Sequence, residues 1–145
     1  TFREYYATHS RVKTSMYEGM EQVMAALKEQ NISMAIVSNK ADDAVKDLAK
    51  YYFAKYIDVA IGEREGITRK PAPDSVYEAM RLLGAGKENT VYVGDSEVDR
   101  ATAKNAGIPC ISVTWGFRSE ELLVSLEPEY LIHKPEEILS IVTGQ

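Results

Sequence analysis

The chain has 145 residues, 45% hydrophobic and 27% charged, with a formal net charge of −5, which suits one globular domain with a core of its own. The acidic balance and the lack of a basic stripe argue against a nucleic-acid partner, and no apolar run approaches the roughly eighteen residues of a membrane span. No cleavable signal segment is visible, and the single cysteine, Cys110, excludes an internal disulfide and a cysteine-based zinc cluster; together these point to a cytoplasmic protein.

The opening "TFREYYATHSRV" reads as helix from its first residues, with Phe2, Tyr5, Tyr6 and His9 at helical spacing. So abrupt a start points to a preceding segment. "EGMEQVMAALKEQ" places Met20, Val23, Met24 and Leu27 on one helical face, and "SMAIVSN" follows as a short buried strand. "ADDAVKDLAKYYF" is a second amphipathic helix, "DVAIG" a brief strand, and "GITRKPAP" a loop, since its prolines cannot occupy a helix interior. Asp74 is the expected N-cap of "SVYEAMRLLG". Then come the strand "TVYVGD", the helix "SEVDRATAKNAG" stopped by Gly107, and the strand "CISVTWG". A short helix "SEELLVSLE", an edge strand "YLIH" and a closing helix "PEEILSIVT" complete the chain. Uniformly apolar strands alternating with helices predict a parallel sheet covered on both faces. Ligands of such sheets gather at the carboxyl ends of the strands.

The polar residues of interest fall at those ends. "GDSEVD" presents Asp95 just past a strand and Asp99 one helical turn later, so both can face one space. Two close carboxylates repel unless a proton or cation lies between them, and oxygen-only ligation suits Mg²⁺. The plainer alternative is a capped helix start, with Asp95 or Ser96 as cap and Asp99 as a solvated first-turn acid that suits the helix dipole. Ser38 and Asn39 end a strand with groups that donate hydrogen bonds to an anion, or else form a turn. Lys70, stiffened by Pro71, can hold phosphate as a point charge; Arg69 beside it reads as a solvated neighbour. Cys110 lies in the apolar run "IPCISVTW" and reads as a small core residue.

Taken together, "YEGMEQVMAALKEQNISMAIVSNK", "RKPAPD", "VYVGDSEVDRATAKNAG" and "SVTWG" resemble the haloacid dehalogenase-like hydrolase superfamily, most closely its phosphoglycolate phosphatase-like branch. The resemblance runs from about Tyr17 to the end of the chain. It implies a three-layer, Rossmann-like α/β fold with a parallel sheet. It makes Ser38 the hydroxyl that binds the transferring phosphoryl group, with Asn39 its neighbour facing the substrate. Lys70 matches the lysine that pairs with phosphate and nucleophile. Asp95 matches the Mg²⁺ ligand, and Asp99 the acid supporting the metal directly or through water. Trp115 and Gly116 match a loop beside the site, where a structural role is expected; His9 and His133 match no functional position.

One departure is large. Family members take nucleophile and general acid from an Asp-x-Asp motif after the first strand, and no two aspartates of this chain are separated by one residue. The expectation is a hydrolase core over residues 15–145 without its first, central strand, preceded in 1–14 by the end of a helical cap domain. The implied activity is Mg²⁺-dependent hydrolysis of a small phosphate monoester through an aspartyl-phosphate, with the nucleophile supplied by an N-terminal segment. This chain alone is expected to be inactive and to need that segment, another copy or a complementing chain. Alternatives are a non-catalytic binding module that kept the fold, a related pyrophosphatase or phosphomutase, and, least fitting, a phosphate-receiver domain.

Overall fold

The computed structural model describes residues 19–52, 56–116 and 118–143; the expected cap helix, at 1–14, lies outside them. Helix α1 (Met20–Glu29) leads into β1 (Ala35–Ala41), and α2 (Asp42–Tyr52) into β2 (Val59–Glu63). Helix α3 (Asp74–Leu83) precedes β3 (Tyr92–Gly94), α4 (Glu97–Ala106) precedes β4 (Cys110–Val113), and α5 (Glu120–Ser125) precedes β5 (Tyr130–Ile132). Helix α6 (Glu136–Thr143) closes the described chain.

The strands form two parallel sheets. β1 pairs with β2 in the register Ala35–Val59, Ile36–Ala60 and Val37–Ile61. β3 pairs with β4, and β4 with β5, through Tyr92–Cys110 and Ile111–Tyr130. Two helix layers sandwich both sheets. On one side Ile36, Val93, Ile111 and Ile132 pack with Met20, Val23, Met24 and Leu27 of α1 and with Ile138 of α6. On the other, Ala35, Val37, Ile61 and Tyr92 pack with Val76 and Ala79 of α3 and Ala103 and Ala106 of α4. Each cluster draws on both sheets, so burying either face of β1 requires β3 nearby. Burial on both faces accounts for the apolar run Ala35–Val37 of β1 and for Tyr92 and Val93 of β3.

Among the described residues, β1 and β3 are nevertheless not paired with each other. Both are end strands of their sheets, and a cavity of about 390 Å³ opens between their amino-terminal approaches, lined by Ser33, Met34, Thr90, Val91 and Val93. The predicted parallel α/β architecture is present, with its break where a central strand was expected.

Two local details differ from expectation. The first turn of α3 is preceded by Pro73, and Asp74 is already helical; its carboxylate accepts the Thr68 N–H at 3.3 Å rather than capping the helix. β3 is only three residues long, because Asp95 leaves the ladder to begin the turn into α4. Cys110 is wholly buried, and burial pushes its thiol up to about 12, so it stays protonated and inert.

Candidate active site

The site begins with the turn between β3 and α4. Ser96 is extended and its hydroxyl accepts the Asp99 N–H at 3.3 Å, the side-chain cap that starts the helix. The capping alternative is therefore correct for Ser96 but not for a solvated Asp99, because the cap turns that acid inward. Asp99 is 0% exposed. Its Oδ2 accepts the Asp95 N–H at 2.9 Å and the Ser96 hydroxyl at 3.0 Å. Its Oδ1 accepts the Lys70 ammonium at 3.3 Å and the Tyr92 hydroxyl at 3.1 Å. Both oxygens of Asp99 are thus engaged by protein donors. Asp95, one turn earlier and also buried, is fixed at its backbone by Asp99.

Lys70 reaches this carboxylate from the loop after β2. Its side chain is 3% exposed, and Nζ also donates to the Tyr92 hydroxyl at 3.3 Å. A buried ammonium is tolerated only with a charged or strongly polar partner, which Asp99 and Tyr92 supply. Arg69, next in sequence, points the other way: its side chain is 63% exposed and pairs with Glu63 at 3.3 Å.

Asn39 sets the backbone of Lys70. Its Oδ1 accepts the Lys70 N–H at 2.8 Å and its Nδ2 donates to the Lys70 carbonyl at 3.2 Å. This reciprocal pair joins the carboxyl end of β1 to the lysine loop, so the Asn39 amide is turned to Lys70. Ser38, one residue earlier and buried, accepts the Lys40 N–H at 3.1 Å. Its own proton has no acceptor among the described residues and remains available to an anion.

Ser38 and Asn39 lie within β1, before its end at Ala41, Lys70 in the loop after β2, Asp95 directly after β3 and Asp99 in the first turn of α4, and the last three form one hydrogen-bonded group with Tyr92. Tyr92 was legible only as an apolar strand residue. Its signal was alternation: residue 92 faces the α4 layer, on the side where Asp99 must lie.

Two glycines complete the cradle. A Cβ at Gly94 would overlap the side chain of Asp99, and one at Gly116, in the loop after β4, would lie 2.6 Å from the Asp95 Cβ and closer still to its carboxylate. Each acid is seated against a residue that has to lack a side chain.

The donor set suits Mg²⁺, which takes one or two carboxylates and completes its shell with waters and substrate phosphate. Asp95 and Asp99 are the carboxylates that could hold it, and both oxygens of Asp99 already accept protein donors. Among the described residues no three His, Cys, Asp or Glu side chains cluster as a closed metal cage.

Known proteins resemble this chain in sequence and fold. The model of the haloacid dehalogenase-like hydrolase family matches residues 1–113. A candidate pyrophosphatase PpaX of Caldanaerobacter subterraneus subsp. tengcongensis is 34% identical over 145 residues, covering 99% of this chain and 66% of that protein. The phosphoglycolate phosphatase of Photorhabdus laumondii subsp. laumondii is 27% identical over 142 residues, covering 97% of this chain and 61% of its own length. The crystal structure of a candidate phosphoglycolate phosphatase from Lactobacillus delbrueckii subsp. bulgaricus superposes with a TM-score of 0.89 at 38% identity, over 97% of this chain and 59% of that one. The chain therefore spans just under two thirds of these relatives. No helix among the described residues is long and apolar enough to cross a membrane.

Proposed function

Because the chain belongs to the haloacid dehalogenase-like hydrolase family, in its phosphoglycolate phosphatase-like branch, we propose that it forms the larger part of a Mg²⁺-dependent phosphohydrolase. The observation that carries this reading is the buried group in which the Asp99 carboxylate holds the Lys70 ammonium, the Tyr92 hydroxyl and the Asp95 N–H. A buried cation fixed beside a second buried carboxylate is a poor way to stabilise a fold and a good way to prepare a site for phosphate.

In this reading a phosphoryl group lies at the carboxyl ends of β1 and β3. Ser38 donates its hydroxyl proton to one phosphoryl oxygen and Lys70 neutralises another. Asn39 keeps the lysine loop in place, and Asp99 aims Lys70 from behind while anchoring Asp95. Asp95 holds Mg²⁺, which when bound offsets charge on the phosphoryl oxygens. The nucleophile is an aspartate on a strand between β1 and β3, supplied by an N-terminal segment or a complementing chain. The lack of pairing between those strands among the described residues and the absence of any Asp-x-Asp in the sequence support this. Its carboxylate oxygen attacks phosphorus and the bond to the leaving oxygen breaks. Water then cleaves the aspartyl-phosphate to release inorganic phosphate and restore the carboxylate.

The substrate is a small phosphate ester or anhydride. Relatives named for pyrophosphate and for phosphoglycolate make these the first two compounds to assay. The decisive variant is Asp95→Asn in the full-length protein. Turnover is expected to fall at least about a hundredfold, as on removal of one preorganised charge-stabilising group, with a higher Mg²⁺ requirement. An unchanged Mg²⁺ titration would overturn the assignment.

A further inference from the structure

The loop after β4 touches Asp95 in a way that the reading above does not use. Gly116 lies so near that a methyl group in place of its hydrogen would meet the Asp95 Cβ at 2.6 Å, and would overlap Oδ2 as well. The added carbon would press on the carboxylate oxygen and on the root of the side chain together, and aspartate has no long flexible arm with which to retreat. The same loop is tied across the site two residues later. Arg118 donates Nε to Glu97 Oε1 at 2.7 Å and a terminal nitrogen to Oε2 at 3.3 Å. Glu97 opens α4, directly after the turn that carries Asp95. The forked pair fixes the loop on the element that presents the acid, a geometry arginine makes better than lysine.

We propose that Gly116, held in place by the Arg118–Glu97 ion pair, is a positioning residue that fixes the Asp95 carboxylate for Mg²⁺ in preference to a larger cation. The inference rests on the reading of Asp95 as the metal ligand. Mg²⁺ demands near-octahedral geometry at roughly 2.0–2.1 Å, whereas Ca²⁺ accepts irregular shells at roughly 2.3–2.6 Å. A carboxylate displaced by a few tenths of an ångström would therefore lose Mg²⁺ and keep Ca²⁺. General loosening of the protein would weaken both.

The test is metal binding by the full-length protein without substrate, with Mn²⁺ followed by electron paramagnetic resonance and Mg²⁺ and Ca²⁺ as competitors. Gly116→Ala is expected to weaken Mg²⁺ at least about tenfold and Ca²⁺ by less than about threefold. A folded Gly116→Ala with an unchanged Mg²⁺-to-Ca²⁺ ratio would overturn the proposal. Should that variant not fold, Arg118→Ala decides, because its side chain is 41% exposed and its two conceivable roles differ in sign. Arg118 lies in the field of Asp95 and Asp99, so removing a mere positive charge would tighten Mg²⁺ binding, whereas releasing a clamp weakens it. Weaker Mg²⁺ binding with Ca²⁺ changed by less than about threefold supports the proposal; tighter or equal Mg²⁺ binding, or an equal weakening of both ions, overturns it. Asp95→Asn separates the two levels. If it loses Mn²⁺ while Gly116→Ala and Arg118→Ala bind normally, only the positioning role fails. If it binds Mn²⁺ as before, the metal site itself is misassigned and the proposal falls with it.

Discussion

Lys70 and Arg69 are adjacent basic residues with opposite surroundings, and the difference is measurable. Lys70 is buried against Asp99 and Tyr92, while Arg69 is mostly in solvent with Glu63. Lys70→Ala should slow hydrolysis by at least about a hundredfold, the scale of losing one preorganised donor. Arg69→Ala should leave steady-state rates nearly unchanged, since exposed pairs are worth about 0–1 kcal/mol. The reverse ranking would mean that the loop presents the other side chain to phosphate. The positions of Lys70, Asp95 and Asp99 were legible because spacing and Pro71 constrain where short segments can place a charge. What the residues touch was not. Asn39 read as a group facing a ligand, yet its amide is matched to both backbone groups of a residue 31 positions away. Tyr92 carried no polar signal at all, since a tyrosine in an apolar strand looks like core until its hydroxyl finds a partner.

At the scale of elements, the helices were the easiest to read. The stripe Met20, Val23, Met24 and Leu27 is buried as its spacing implied, and α3 and α4 end on left-handed Gly84 and Gly107. Boundaries were harder where side chains compete with backbone, as at Asp74 and at the short β3. The joint between β1 and β2 shows such competition resolved. Asp58 accepts the Met34 N–H at 3.0 Å and the Lys28 ammonium at 2.7 Å, while its own N–H donates to the Met34 carbonyl at 2.8 Å. Partial burial pushes the Asp58 carboxyl upward, but Lys28 and the Met34 N–H outweigh it and hold the group below its ordinary value. A carboxyl depressed in the folded state stabilises above its unfolded pKa, near pH 4, and that contribution fades as pH falls through the lower folded value. Asp58→Ala should therefore cost about 1–2 kcal/mol at neutral pH. The wild-type advantage should shrink in acid, as read from denaturant midpoints at pH 7 and pH 3. An equal deficit at both would show that the charge is irrelevant to the joint.

At the scale of the molecule, the parallel order and two helix layers follow from apolar strands that alternate with amphipathic helices. The break between β1 and β3 has a different origin. Nothing in either strand's own residues announces it; it became visible by comparing the chain's motifs with those of the family it resembles, and the two sheets part at that place. Ala35–Val37 of β1 and Tyr92 and Val93 of β3 are buried, so both strands lie in the interior at the place where the sheets part. The proposed occupant of the gap brings the nucleophile, so its chemistry can be located directly. Turnover by the full-length protein is quenched with borohydride, which reduces an acyl phosphate to homoserine, and the modified residue is mapped by peptide mass spectrometry. The expected homoserine lies on an apolar strand outside Thr1–Gln145, with Asp95 and Asp99 intact. Homoserine at Asp95 or Asp99 would contradict the division of labour drawn here, in which these acids hold the metal and the lysine while another carboxylate attacks phosphorus.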